Sequence, residues 1–130
     1  MKRTHHKGDA QQKRAYSPAV VTEGGRIVWI AGHTGAVDDA GRSLSGDFDA
    51  QVRQTFRNME KTLAIAGATL KDIVTMTVFI KDPRLSTRFT ELRLDILKDD
   101  FPASALITVF GFAQPEMMVE IQGIAVIAEG

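Results

Sequence analysis

The stretch Ile73–Ile80, IVTMTVFI, is apolar or β-branched at every position, whichever face a residue points to. Such a strand is stable only where both faces of its sheet are covered, so it belongs inside a sheet. The helices available to cover it are single-striped. Val52, Phe56, Met59, Leu63 and Ala66 recur at helical spacing between a capping aspartate, Asp47 or Asp49, and Gly67, the expected left-handed stop. Gln51, Arg53 and Gln54 fill the other faces of that helix. Asp82-Pro83 opens a second helix whose buried stripe is Leu85, Phe89, Leu92 and Ile96, and Pro102 follows its end. Arg84, Arg88 and Arg93 are expected on its solvated side. Two such helices lie on one face of a sheet, which predicts an α+β layer architecture. The other face then needs cover from further copies of the chain.

Residues 16–22 and 26–32 read as a hairpin around Glu23-Gly24-Gly25, with Pro18 placing the first strand at an edge or bulge. One short strand is expected near Ser43-Leu44, and further strands over 104–110 and 117–127. The order is ββ(β)αβαββ. In the last strand Met117, Val119, Ile121, Gly123 and Ala125 share one face, while Glu120 and Gln122 take the other. A carboxylate in so apolar a strand is solvated, paired or set in a pocket. Glu120 is therefore the leading candidate for chemistry, and an edge-strand glutamate facing water is the plainer alternative. Gly32-His33-Thr34-Gly35 follows the second strand. Its glycines either let backbone approach a ligand or simply mark a strand exit.

A chain of 130 residues makes one domain. Residues 1–15 carry Lys2, Arg3, Lys7, Lys13 and Arg14 with little that is apolar, so a flexible arm is expected there and a single domain over 16–130. His5 and His6 lack the further ligands that a metal site needs. Sixteen basic and sixteen acidic residues cancel, which leaves no field to draw in nucleic acid or an anionic membrane. No apolar run is long enough to span a bilayer, and the N-terminal residues lack the apolar core of a secretion signal. With no cysteine, thiolate catalysis and disulfides are excluded. A cytoplasmic protein is expected.

Several stretches together resemble the RidA/YjgF family. They are Tyr16-Ser17-Pro18-Ala19, the run from Ala50-Gln51-Val52-Arg53-Gln54 to Lys81-Asp82, Phe101-Pro102-Ala103, and Val119-Glu120-Ile121 with Ile124-Ala125. The resemblance covers roughly residues 16–127. It implies a chorismate-mutase-like fold, a homotrimer with its sheets forming an inner barrel, and ligand clefts between subunits. It also implies hydrolysis of reactive imines or enamines such as 2-iminoacids, with no metal or organic cofactor.

That chemistry needs water placed at the imine carbon, a proton relay and an anchor for the substrate's carboxylate. Glu120 matches the family glutamate that handles water and protons. Tyr16 matches the tyrosine at the cleft entrance. Gly32, His33 and Thr34 stand in a substrate-binding stretch where relatives commonly have glutamine at the histidine position. The departure is Ser104, directly after Pro102-Ala103, where the family's deaminases carry arginine. Losing a charge-assisted pair there is worth ~1.5–3 kcal/mol, or one to two decades of affinity. The chain thus resembles an arginine-lacking branch, and weak activity on short 2-iminoacids is expected. A non-catalytic binding trimer, a sensor or carrier, is the alternative. The two readings part on whether another cation reaches Ser104.

Overall fold

The structure is a computed structural model and describes residues 1–129. The chain runs through β1 (Lys2–His6), α1 (Asp9–Lys13), β2 (Ala19–Glu23), β3 (Arg26–His33), α2 (Phe48–Ile65), β4 (Ile73–Ile80), α3 (Ser86–Leu97), β5 (Ala103–Thr108) and β6 (Val119–Ile127). Asp47 caps α2 by accepting from the Ala50 amide at 3.0 Å, and Gly67 follows its end at φ 76°. Asp82 caps a short 3₁₀ turn, Pro83–Leu85, that leads into α3.

The mixed sheet has the order β3-β6-β4-β5, with β4 parallel to β5 and antiparallel to β6. As the sequence predicts, β4 is an interior strand and both long helices share one face. Val52, Phe56, Met59 and Leu63 of α2 and Phe89 and Leu92 of α3 pack on Met76, Val78 and Ile80 of β4 and on Val119, Ile121 and Ala125 of β6. The alternate side chains form a face with no helix on it. There Trp29 is 74% exposed and Ile27 56%.

Four expectations are corrected. The hairpin of β2 with β3 does not form: β2 pairs with β1 in a separate two-stranded ribbon, and β3 pairs with β6. Gly25, at φ 90°, carries the chain past the end of β6, where a Cβ would sit 2.7 Å from the Ile127 carbonyl oxygen. Second, the arm over 1–15 is built into secondary structure. Arg3 Nη2 ties β1 to the sheet by donating to Val126 O at 2.6 Å and to Asp72 at 3.3 Å. His5 is mostly covered, and its burial holds its pKa below the usual value. Third, the strand expected near Ser43 shrinks to one bridge with Val37. Fourth, Arg93 is not on a solvated side but 1% exposed, and Gln51 and Gln54 are buried as well.

Candidate functional site

Two motifs distant in sequence meet as one clamp. The Ser17 hydroxyl donates to Phe101 O at 2.6 Å and its amide to Pro102 O at 2.9 Å, while Ser17 bridges Ala103 in parallel. Tyr16 is thereby set beside Ser104. Between them opens a cavity of about 450 Å³, lined by Arg14, Tyr16, Ser86, Thr90, Arg93 and Ser104 with Ala105 and Leu106. Ala15, buried at φ 62°, turns the chain here, a backbone conformation an alanine adopts only under strain.

Arg93 is the wall of this cavity. Its Nη1 donates to Ser104 Oγ at 2.7 Å and its Nη2 to Arg14 O at 3.1 Å. The guanidinium carbon lies 5.1 Å from the Phe89 ring centroid and 5.9 Å from that of Tyr16. Burial, with the charge of Arg14 behind it, pulls its pKa down to about 10, so it stays protonated at neutral pH. Among the described residues, no acidic side chain lines the cavity.

Glu120 belongs to a second group. In β6 it is paired with Phe79, on the face without helices. Its carboxylate lies across bare backbone: a Cβ on Gly32 would come within 2.1 Å of Oε2. It borders an open cavity of about 310 Å³ with Phe79, Val109, Gly111, Phe112 and Gln122, and among the described residues no lysine or arginine stands in its wall.

His33 and Thr34 join neither group. A bulge between Ile30 and His33 turns the histidine toward α2. The Ala31 carbonyl can only accept, so His33 Nδ1 carries the proton and donates to it at 2.7 Å. Its Nε2 is bonded to Thr62 Oγ1 at 2.7 Å. Thr34 O accepts from Asn58 Nδ2 at 2.8 Å. Gly35 has a packing role, since a Cβ there would sit 2.6 Å from Gln51 O and Thr55 N of α2.

Tyr16 is thus brought to Ser104, and Gly32 to Glu120. Ser104 is registered opposite Met76, whose side chain faces the helices, whereas Phe79 and Glu120 face away from them. The two groups therefore occupy opposite faces of the sheet. Sequence reasoning missed Arg93 and Arg14 at the first and Gln122 and Phe112 at the second. The available signal was helical spacing: Arg93 lies four residues after Phe89, on the buried stripe.

The Endoribonuclease L-PSP family model matches residues 8–127, nearly the whole chain. The chain belongs to the RidA/YjgF family. It is 33% identical to a RutC family protein of Aquifex aeolicus over 94 residues, 72% of this chain and 73% of that one. A Rid-family protein of unknown function from Yersinia pestis has a similar structure, with a TM-score of 0.84 at 26% identity over 98% of this chain and 100% of that one. RidA from an Antarctic Psychrobacter gives 0.72 at 30% identity, covering 86% and 88%. Arg93 stands against Ser104, the position at which the sequence departs from the family pattern.

A consequence can be measured. Ser104→Arg, meant to restore the family arginine, would place a second guanidinium against the buried one. The variant is expected to melt below the wild type, by roughly 1–3 kcal/mol of stability, in place of a simple gain of function. A thermal melt at fixed protein concentration checks this.

Proposed function

We propose that the chain is a hydrolase of a small imine or enamine, working in a cleft between the subunits of a homotrimer. The observation that carries this reading is the Glu120 carboxylate, laid over Gly32 beside an open cavity that has no lysine or arginine in its wall among the described residues. A carboxylate so placed accepts a proton from water as the water oxygen bonds to the imine carbon. That proton passes to nitrogen to give the carbinolamine; the carboxylate then carries the hydroxyl proton to the amine, the C–N bond breaks, and ammonia leaves as the C=O bond forms. An enamine first takes a proton on carbon to become the imine. Phe79 and Phe112 give the reacting atoms apolar surface on one side.

The apolar face that carries Trp29, Ile27 and Ile124, which a single chain leaves in water, supports assembly of further copies. The placement of the two groups supports a shared cleft as well. On opposite faces, Glu120 and the Tyr16–Ser104 cavity of one chain cannot both touch one small molecule. Small-molecule chemistry also suits the surface charge better than RNA binding does, because Arg42, Arg53, Arg84 and Arg88 are each paired with an aspartate.

Light scattering should give three chains per particle, and a stable monomer at micromolar concentration would remove the shared cleft. Turnover of an amino-acid oxidase's imine product tests the cleft directly. Glu120→Gln and Tyr16→Ala chains should each be inactive, and co-refolded mixtures should regain part of the activity through sites that draw one intact half from each chain. Mixtures as inactive as their parents would place the whole site within one chain.

A further inference from the structure

Arg93 is a buried cation held only by neutral groups, the Ser104 hydroxyl, the Arg14 carbonyl and two aromatic rings, with no carboxylate bonded to it among the described residues. It sits on the apolar side of α3, and its Nε is buried with no partner among the described residues. A charge in that position opposes folding unless something compensates it. Its bond to Ser104 has a second effect. A hydroxyl oxygen that accepts from a guanidinium must direct its own proton elsewhere. The Ala105 carbonyl, 3.5 Å away, is a poor acceptor. The Ser104 O–H is therefore a donor backed by positive charge, open to an occupant of the cavity. Ser86 and Thr90 already donate to the Pro83 and Thr87 carbonyls, each at 2.8 Å, so the remaining donors come from Ser104, Tyr16 and Arg14.

We propose that this cavity binds a small carboxylate, with Ser104 donating to its oxygen and Arg93 behind Ser104 as the positioning residue that supplies the charge. The exchange of arginine for serine at position 104 has then moved the cation onto α3 without removing it. What this means for catalysis rests on the imine-hydrolase reading: the substrate carries a carboxylate, contrary to the expectation drawn from Ser104 alone. The anion site itself stands on the cavity.

Calorimetric titration of the assembled protein with pyruvate, and with pyruvamide as its neutral isostere, separates charge from shape. Wild-type protein should bind pyruvate at least about tenfold more tightly than pyruvamide. Arg93→Gln and Ser104→Ala should each weaken pyruvate about 10- to 100-fold and leave pyruvamide within about threefold. The double variant should lose little more than either single one, because the two residues act as a unit. Arg93→Lys should keep most of the preference, which a purely structural role would not require. Failure of the wild type to prefer pyruvate, or an unchanged preference in a folded Arg93→Gln or Ser104→Ala protein, overturns the proposal. Ser104→Ala removes a single hydroxyl and keeps the proposal open to refutation even where the arginine variants do not fold. Pyruvate binding without any imine turnover leaves the anion site standing and sinks the hydrolase. Turnover of a neutral imine without carboxylate preference does the reverse.

Discussion

Glu120→Gln is expected to lower imine hydrolysis by about 10²- to 10⁴-fold, the range that general acid–base groups contribute, with a stability change below about 0.5 kcal/mol. The asymmetry comes from where the carboxylate sits. It touches the glycine backbone and an open cavity, so the fold gains little from its charge. Glutamine fills the same space and keeps one acceptor, but it cannot take a proton from water. Gly32→Ala should act in the same direction, because its methyl group occupies the place of Oε2 and the flexible glutamate must swing away. Steady-state assays alongside thermal melts decide the matter. A Glu120→Gln protein with wild-type turnover would mean that the carboxylate is an ordinary polar group on a sheet face. A folded protein with no turnover before or after mutation, yet intact pyruvate binding, would favour the sensor or carrier.

The features legible in the sequence were those written in short-range patterns. The unbroken apolar and β-branched run IVTMTVFI gave the interior position of β4, alternation in the last strand put Glu120 opposite Val119 and Ile121, and both hold. Asp47, Gly67 and Asp82 gave their caps and stops because capping is decided within four residues. What failed was choice among partners. Glu23-Gly24-Gly25 is a good turn, but a turn does not say whether its flanking strands pair with each other. Here β1 takes one strand and β6 the other. The strand β1 was unreadable for a related reason. KRTHH has no apolar face, and its order comes from pairing with β2 and from the hydrogen bonds of Arg3.

The site was half legible. Tyr16, Gly32, Ser104 and Glu120 lie at cavities or against their walls, but their grouping into two faces depends on strand register, which local spacing leaves open. Arg93 was hidden by its chemistry. An arginine in a helix is usually at the surface, and that tendency outweighed its place on the stripe of Phe89, Leu92 and Ile96. A charged residue at a stripe position needs a buried partner or a function.

Gln51 shows the same effect in the core and carries the largest expected loss of stability. It is fully buried in α2, and its amide serves three backbone groups. Nε2 donates to Leu44 O at 3.1 Å and Glu116 O at 2.8 Å, and Oε1 accepts from the Met118 amide at 3.0 Å. One side chain thus holds the loop before α2 and the turn before β6. Gln51→Met has nearly the same shape and removes all three bonds, so the carbonyls and the amide are left to find water or go without. Each unsatisfied group costs about 1–3 kcal/mol, and partial rehydration at the turn brings the expected total to about 3–5 kcal/mol. Gln54→Met provides the contrast. Gln54 is also buried but donates only to the Asp39 and Asn58 side chains, which can turn to solvent, so about 1 kcal/mol is expected. Urea midpoints at one fixed chain concentration, with an unchanged slope, measure both, since assembly adds its own contribution to stability. The Gln51 variant should also lose activity while still folded, because the turn it pins ends two residues before Glu120. Equal losses in the two variants would show that burial of an amide, and not its bonds to the backbone, sets the cost.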